Sequence, residues 1–462
     1  MGAGKSTLGP LLAERLGRPF VAVDALVEEE TGCTVAELFA DRGQDAFREL
    51  EERAALEALT RRSPAVVELG GGALGSEATR IALGAHAFAI LLETTPEDAW
   101  KRVSPPARPL ARDPEEFWRL FAERAPVYEA VADGHAHDLD GAVLAAAGVH
   151  VWEGACDGLG ALAPGEGAIE LVVDANVDPL HGDRVRGALG GRLLASHVVR
   201  AGERAKTVDE AERLWSALRL QRDGCVVALG GGSTCDLAGF VAATHLRGVA
   251  WAPVPTTLVG QVDAAIGGKV GIDLPEGKNL VGSFHWPART IVDPELLATL
   301  PADELENGRA EVVKTALLVG EPIWERELPA QVRSAAAFKA AVCLRDPEDR
   351  GERAQLNLGH TFAHALETAS GFTLPHGRAV ALGLLAALRL SGLEEEMRAV
   401  EDLLRPQRAS VDRERAWAAL ARDKKSVDGA VRLVLLDAPA RPRTGVEVDP
   451  ADLRAALDDL IA

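Results

Sequence analysis

Short apolar runs alternate with longer amphipathic segments over the first 300 residues. The apolar runs predict buried strands at residues 20–24, 66–72, 88–92, 149–152, 171–173, 226–229 and 249–254. The amphipathic segments predict helices at residues 5–16, 34–61, 208–222 and 236–244. Strands that alternate with helices in this way are typical of α/β folds with parallel sheets.

The pattern becomes mainly helical after Pro301, with an extended piece at residues 432–436 and a closing helix from about Pro450. A chain of 462 residues is long enough for about three hydrophobic cores of ordinary size. We therefore predict three domains, at residues 1–145, 148–295 and 296–462.

Composition narrows the class of protein. The formal net charge of −20 argues against nucleic acid or an anionic membrane as the main partner, because both require a basic face. No apolar run approaches the roughly 20 residues that span a bilayer, and no signal-peptide pattern is present. The five cysteines include no CxxC pair, which favours reduced thiols over disulfides or a zinc framework. We expect a cytoplasmic enzyme that acts on small molecules.

The strand at residues 226–229 runs into three glycines and then into a helix, as VVALGGGSTCDLAG. Unpaired N–H groups and the helix dipole at such a turn form a natural site for a pyrophosphate. Cys235 occupies the place of the third glycine of the dinucleotide fingerprint, so a tight turn without a ligand is an equal alternative.

Hydroxyl groups and isolated charges are concentrated just after this turn. Thr256 and Thr257 follow the next strand, and four charged or amide residues lie among glycines further on: Asp263, Lys269, Lys278 and Asn279. A solvated surface loop rarely has this composition without a ligand to hold. The pattern therefore favours a binding site over a plain turn.

The sequence GAGKST at Gly2 to Thr7 has the form of the end of a phosphate-binding loop. In such loops the backbone cradles phosphates, the lysine (Lys5) reaches the β/γ oxygens and the hydroxyl (Ser6) binds magnesium. The full GxxxxGK[ST] pattern needs a glycine before Met1 and a preceding strand. Either the true start lies upstream, or the fold has lost an inner strand together with nucleotide binding.

Residues 2 to about 145 resemble shikimate kinase. The motifs that carry the resemblance are GAGKST, VAVDALVEEETG, AFRELE, GGG at 70–72, ARPLA and ERAPVY. The resemblance implies a shikimate site formed by Asp24, Arg48, Gly70, Gly71, Gly72 and Arg124. It implies an ATP and Mg²⁺ site formed by Gly2, Gly4, Lys5, Ser6, Thr7 and the lid arginine Arg108.

One position departs from the kinase pattern. The family has two acids in a DxD motif, whereas this chain has Ala22, Val23 and Asp24, so a carboxylate near magnesium is missing. Two alternatives stay open: an active kinase, or a kinase-like domain that serves as a docking or regulatory module.

Three histidines near a carboxylate-bearing helix indicate metal chemistry. Glu311 and Lys314 are spaced i, i+3 and point the same way from one helix. His360 and His364, spaced i, i+4, are typical of a metal pair, with His376 close behind. The alternative for any one of them is a satisfied histidine at the edge of the core.

Residues 148–462 resemble 3-dehydroquinate synthase. The motifs are GGGxxxDLAGFVAA, LRG, VPTTL, QVDxxIGGK, GIDLPEGKNLVG, NGRAEVVK and LNLGHTFAHALE. The resemblance implies a catalytic Zn²⁺ or Co²⁺ held by Glu311, His360 and His376, with His364 contacting the substrate. It implies an NAD site formed by Asp174, Asn176, Glu203, Lys206, Gly231, Gly232, Asp236, Thr256, Thr257 and Lys278. It places in the catalytic and substrate pocket Asp263, Lys269, Asn279, Arg247, Lys314, Lys339, Arg353, Asn357, Lys424 and Lys425.

The expected architecture is a P-loop α/β kinase domain, then an α/β NAD-binding domain and a mainly helical metal-binding domain. The expected function is bifunctional: conversion of 3-deoxy-D-arabino-heptulosonate 7-phosphate to 3-dehydroquinate and phosphate, and phosphorylation of shikimate by ATP. Another sugar-phosphate cyclase or a polyol dehydrogenase on the same scaffold remains the alternative. We also expect a homodimer formed through the synthase part.

Overall fold

The computed structural model describes residues 2–103, 113–422 and 431–462. The chain divides into two compact units, Met1–Gly148 and Val149–Ala462. No helix among the described residues is long and apolar enough to cross a membrane. Of the five cysteines, four are buried and all are free thiols.

The first unit contains seven helices and four short strands within its described residues. In chain order they are α1 (Lys5–Arg15), β1 (Phe20–Ala22), α2 (Val23–Thr31), α3 (Val35–Leu59), β2 (Val66–Glu68), α4 (Glu77–His86), β3 (Ile90–Leu92), α5 (Pro96–Arg102), α6 (Pro114–Val131), β4 (Gly134–Ala136) and α7 (Leu139–Ala146).

The strands of the first unit form two parallel pairs, β1 with β2 and β3 with β4. The long helix α3 begins with a capping box, in which the Thr34 hydroxyl and the Glu37 carboxylate satisfy each other's backbone N–H groups. One prediction is wrong in detail: strand β1 ends at Ala22, and Asp24 lies in the first turn of α2. A carboxylate is favourable at that end of a helix.

The second unit contains the remaining elements. They are β5 (Val149–Val151), α8 (Leu159–Leu162), β6 (Ile169–Asp174), α9 (Asp183–Leu189), β7 (Leu193–Val199), α10 (Val208–Ala217), β8 (Cys225–Gly230), α11 (Gly232–Thr244), β9 (Ala250–Pro255), β10 (Lys269–Leu274), β11 (Gly277–Phe284), β12 (Thr290–Val292), α12 (Ala302–Val319), α13 (Leu328–Arg345), α14 (His360–Ala369), α15 (His376–Ser391), α16 (Glu394–Leu404), α17 (Arg413–Ala421), β13 (Arg432–Ala438), β14 (Arg441–Glu447) and α18 (Pro450–Asp458).

A four-stranded parallel sheet, ordered β7-β6-β8-β9, forms the centre of the first half of this unit. Every residue of β6 and β8 is buried, which explains the apolar runs at residues 171–173 and 226–229. Strand β6 also contains the buried Glu170, which pairs with His197. Two predicted helix limits are wrong. Helix α11 begins at Gly232 rather than residue 236, and α10 ends at Ala217 rather than residue 222.

Helices dominate the second half of the unit, as the sequence pattern predicts. Helices α14 and α15 pack closely, and Gly359 permits this approach: its φ is +77°, and a Cβ there would lie 2.8 Å from the backbone nitrogen of Leu384. The predicted extended piece and closing helix are confirmed as β13 and α18.

The half-buried imidazole of His150 makes the stability of the second unit depend on pH. His150 lies on β5, and burial lowers its pKa to about 4, with Arg289 acting in the same direction. The neutral ring favours the folded state above pH 6.5, and this contribution is lost as the pH falls toward 4. Between pH 7 and 4, we expect the unfolding free energy of the native chain to fall by up to about 3 kcal/mol more than that of His150→Leu. Urea unfolding of both proteins at each pH measures this difference, and parallel pH profiles would contradict it.

Candidate active sites

The carboxyl ends of β6, β8 and β9 meet at one edge of the parallel sheet, where open α/β sheets bind ligands. Helix α11 starts there with no side-chain cap on its Gly231 N-cap. A Cβ on Gly232 would lie 2.9 Å from the Ala264 methyl group, so the turn depends on glycine. The hydroxyl of Thr256 is buried and has no hydrogen-bond partner within the described protein, which leaves it available to a ligand.

Asp174 and its neighbours organise the same edge. One Asp174 carboxylate oxygen accepts a hydrogen bond from the Gly202 backbone at 3.0 Å, and the other accepts one from the Asn176 backbone at 2.7 Å. The Thr257 hydroxyl accepts a hydrogen bond from the Gly260 backbone at 3.1 Å. Several residues predicted to bind the cofactor therefore hold the loops of this edge in place.

Three carboxylates lie near the buried ammonium group of Lys206 beside the turn. Its Nζ lies 2.8 Å from the Asp236 carboxylate and 3.8 Å from those of Glu203 and Asp273. Lys206 also donates to the amide oxygen of Asn279. The structure thus groups Asn279, predicted for the substrate pocket, with residues predicted for the cofactor.

Burial and neighbouring charges shift the pKa values of the acids in this group. Burial raises the pKa of Asp236 to about 6, against the opposing effect of Lys206. Although burial opposes it, Lys206 and the Ser233 hydroxyl lower the pKa of Glu203 to about 2, and Lys278 adds a contact at 3.3 Å. The predicted residues Glu203, Lys206, Asp236 and Lys278 are brought together.

Glu311, His360 and His376 form a compact cluster in the helical half. One ligand atom from each lies within 4.8 Å of the others. Glu311 comes from the middle of α12, whereas the two histidines are the first residues of α14 and α15. His360 Nε2 and His376 Nε2 lie 3.4 Å and 3.3 Å from the same Glu311 oxygen. Two imidazole nitrogens and a carboxylate oxygen are the ligand set of a catalytic zinc site.

Neighbouring groups orient both imidazoles. His360 Nδ1 lies 3.2 Å from the carbonyl of Leu358, so a proton on Nδ1 leaves Nε2 free to bind a metal. His376 Nδ1 lies 3.3 Å from the Glu367 carboxylate. Burial disfavours the charged form of His376, but Glu311 and Glu367 outweigh it and raise its pKa to about 10. The His364 ring lies 5.5 Å from that of His360.

A buried chain of charges leads from the cluster to Asp263. Lys314 lies one helical turn from Glu311, as the spacing predicts, and contacts the Glu311 oxygen that does not face the histidines. Its Nζ lies 3.9 Å from the Asp263 carboxylate. Lys339 pairs with Asp263 directly. Burial opposes all these charges, yet the lysines lower the pKa of Asp263 and the acids raise that of Lys314. The predicted residues Asp263, Lys314 and Lys339 therefore form one network.

The other predicted substrate residues have partners of their own. Lys269 pairs with Asp349, Asn357 donates to the Ala354 carbonyl at 3.1 Å, and the buried Arg353 donates to the Gly267 carbonyl at 2.9 Å. Arg247 is exposed on the turn after α11, and no ion pair within residues 113–422 joins it to these networks. Lys424 and Lys425 lie outside the described residues.

A cavity of about 680 Å³ in the first unit is lined by Arg48, Gly71, Gly72, Arg124 and Tyr128, among others. Arg124 and Tyr128 donate to the Gly71 carbonyl at 2.7 Å and 2.5 Å. A Cβ on Gly72 would clash with the guanidinium of Arg48. The structure thus brings together most residues of the predicted shikimate site.

The remaining kinase residues lie at the loop before α1 and at the edge of the cavity. Gly2 and Gly4 adopt positive φ angles of 71° and 92°, and α1 begins at Lys5 with Ser6 next. The Thr7 backbone closes the turn onto the Gly4 carbonyl at 3.1 Å. Asp24 lies near Gly70, because a Cβ there would approach its carboxylate to 3.0 Å. Arg108 lies outside the described residues.

Sequence reasoning missed several polar residues of these sites. Glu51 is almost fully buried beneath the cavity and pairs with Arg48. Tyr128 is the only tyrosine of the chain, and that rarity was an available signal. Glu367 is the last residue of the motif LNLGHTFAHALE, and Asp349 lies in none of the motifs. The fold brings these two carboxylates to His376 and Lys269.

The parallel sheet, the helical half and the histidine–carboxylate cluster together define the class of the second unit, which has the sugar-phosphate cyclase fold. The solved 2-epi-5-epi-valiolone synthase of Streptomyces hygroscopicus, with NAD⁺ and Zn²⁺ bound, is 27% identical, with a TM-score of 0.59, over 68% of this chain and 96% of that one. A solved 2-deoxy-scyllo-inosose synthase is 22% identical, with a TM-score of 0.61, over 67% and 96% of the two chains.

Sequence comparison narrows this class to a family. The models of the 3-dehydroquinate synthase N-terminal and C-terminal regions match residues 196–307 and 308–426, and the shikimate kinase model matches residues 1–145. The 3-dehydroquinate synthase of Symbiobacterium thermophilum is 42% identical over 325 residues, which cover 63% of this chain and 90% of that protein. The chain belongs to the 3-dehydroquinate synthase family and carries a shikimate kinase domain ahead of the synthase.

Proposed function

We propose that the second unit converts 3-deoxy-D-arabino-heptulosonate 7-phosphate to 3-dehydroquinate and phosphate, with NAD and a divalent metal ion as cofactors. The observation that carries the proposal is the Glu311, His360 and His376 cluster, whose ligand atoms lie within 4.8 Å of one another. Its donor set suits Zn²⁺ or Co²⁺. The valiolone synthase, solved with NAD⁺ and Zn²⁺, supports the same pair of cofactors here.

NAD fits the edge of the parallel sheet. The unpartnered Thr256 hydroxyl, the uncapped start of α11 and the glycine turn are features that accept a pyrophosphate. Lys206 and Lys278 would add positive charge beside it, and Asp174 would hold the surrounding loops. When bound, NAD exchanges a hydride with a substrate carbinol and the metal polarises the carbinol and carbonyl oxygens.

The protein's own residues would bind and orient an anionic substrate. The lysines around Asp263 and the buried Arg353 provide positive charge for its phosphate and carboxylate, within a protein whose net charge is −20. Because Lys339 and Lys314 are already paired with Asp263, their ammonium groups are held in place before the substrate arrives. The predicted roles of Lys269, Asn279, Arg247, Asn357 and His364 remain part of this proposal.

The choice of substrate tests the synthase proposal against its alternatives. The chain, supplied with NAD and Zn²⁺ or Co²⁺, should release phosphate from 3-deoxy-D-arabino-heptulosonate 7-phosphate and form 3-dehydroquinate, observed by NMR. Preferential cyclisation of another sugar phosphate, or oxidation of a polyol with net reduction of NAD⁺, would contradict the proposal.

We propose that the first unit is an active shikimate kinase. The observation that carries this is the cavity in which Arg48 and Arg124 lie beside the Gly71–Gly72 turn. Guanidinium groups bind carboxylates with two parallel hydrogen bonds, and shikimate offers one carboxylate. A docking or regulatory module is the alternative, because Ala22 replaces an expected acid.

Loss of Arg124 should impair shikimate binding selectively. We expect Arg124→Met to raise the KM for shikimate by roughly 100-fold, since a charge-assisted bond of about 3 kcal/mol is lost, with little change in the KM for ATP. Steady-state kinase kinetics provide the measurement. Arg119→Met is the matched control, because Arg119 is exposed on the same helix and pairs only with Glu116 and Glu123 among the described residues. Equal kinetics for the two variants would contradict the assignment.

The proposal also covers the domain division and the oligomeric state of the second unit. The second unit would comprise an NAD-binding domain at residues 148–295 and a metal- and substrate-binding domain at 296–462, supported by the change from β12 to α12 near residue 296. It would also form a homodimer, for which the exposed apolar side chains of Leu280 and Phe284 on β11 are suited. Sedimentation velocity tests the dimer, and a monomer at micromolar concentration would contradict it.

A further inference from the structure

The carboxylate of Glu68 lies at the end of a strand, beside the position where the kinase pattern has an acid. Glu68 is the last residue of β2, and its partner in the parallel register is Ala22, the last residue of β1. Ala22 is where the kinase pattern has an acid near magnesium. Register partners on paired strands project to the same face of a sheet. A carboxylate that is absent from one strand is therefore present on its neighbour, at the same level.

The hydroxyl of Ser6 connects Glu68 to the phosphate-binding loop. Ser6 Oγ donates a hydrogen bond to Glu68 Oε1 at 2.7 Å, across 62 residues of sequence. In phosphate-binding loops this hydroxyl is a magnesium ligand, and a carboxylate completes the protein's share of the coordination. Neighbouring oxygens of an octahedral Mg²⁺ site lie about 2.9 Å apart. The two oxygens are thus already spaced as adjacent ligands of one ion.

We infer that Glu68, together with Ser6, holds the Mg²⁺ of MgATP and takes the place of the acid that Ala22 lacks. The inference rests on the proposed kinase function of this unit. Magnesium binds through one or two carboxylates together with substrate phosphates, so a single glutamate is sufficient. The missing DxD acid then no longer argues for an inactive domain.

Nucleotide binding with and without the metal tests this role independently of turnover. Isothermal titration calorimetry gives the affinity for ATP with Mg²⁺ and with EDTA, and their ratio isolates the contribution of the metal. For Glu68→Gln we expect this ratio to fall by roughly tenfold or more, with affinity in EDTA unchanged or higher. Restoring an acid on the neighbouring strand, in Ala22→Asp with Glu68→Gln, should recover the ratio.

The outcomes separate the inference from the function on which it rests. An unchanged ratio in Glu68→Gln would overturn the inference, even if the native chain phosphorylates shikimate. If the ratio were unchanged because affinity falls equally with Mg²⁺ and with EDTA, the Ser6–Glu68 bond would be a structural tether. No ATP binding by the native chain would overturn both. A ratio that falls and is rescued would support the role of Glu68, even if native turnover is absent.

Discussion

His360→Ala should abolish synthase activity together with bound metal. The imidazole supplies one of three protein ligands, and neither remaining ligand can occupy its position, because Glu311 and His376 are held on other helices. We expect turnover to fall roughly 100-fold or more. Metal content, measured by mass spectrometry after dialysis against Zn²⁺, should fall from one ion per chain to near zero.

His150→Leu is the control for this experiment. His150 is a half-buried histidine of the second unit that lies on β5 and outside the cluster. It should keep both metal and turnover. Full zinc occupancy and normal turnover in His360→Ala would refute the assignment of the metal site.

Lys314→Met should strongly destabilise the metal-free second unit. Lys314 is only 2% exposed and lies between the carboxylates of Glu311 and Asp263. Removing one member of a buried ion pair leaves uncompensated charge, which costs about 3–5 kcal/mol. Hydrogen exchange of peptides from α12 and α13, followed through urea unfolding in a chelator, measures the change in the unfolding free energy of this region.

The matched control is Lys269→Met. The Lys269 side chain is 49% exposed and pairs with Asp349, so its loss should cost under about 1 kcal/mol. Zn²⁺ should recover part of the stability lost in Lys314→Met, since the ion would neutralise Glu311. Equal destabilisation of the two variants would show that the buried network does not stabilise the fold.

The fold was predictable where burial leaves a simple signal. Strands β6 and β8 are buried along their whole length, and most of their residues are apolar, as in the runs at residues 171–173 and 226–229. The start of α11 was not predictable from local preference, since glycine disfavours helices. The residue at this start is a glycine because the close approach of Ala264 leaves little room for a side chain. The sequence likewise predicts Asp24 at the end of a strand, whereas it lies in the first turn of a helix.

The candidate sites were predictable mainly where motifs are long. Spacing alone favours His360 and His364 as a metal pair, whereas the structure joins His360 to His376, at the start of the following helix, and to Glu311. The distance between these helix starts depends on tertiary packing, which the residues do not encode locally. Glu68 had no motif, because a single acid at the end of a strand is indistinguishable from a solvated one until its register is known.

We propose that one chain performs two reactions of aromatic-precursor synthesis. The direct measurement is ³¹P and ¹H NMR on one purified preparation, supplied in separate reactions with 3-deoxy-D-arabino-heptulosonate 7-phosphate, NAD and Zn²⁺, and with shikimate and MgATP. We predict 3-dehydroquinate with inorganic phosphate in the first reaction, and shikimate 3-phosphate with ADP in the second. Failure of either product to form, with its domain folded and its cofactors bound, would contradict the claim.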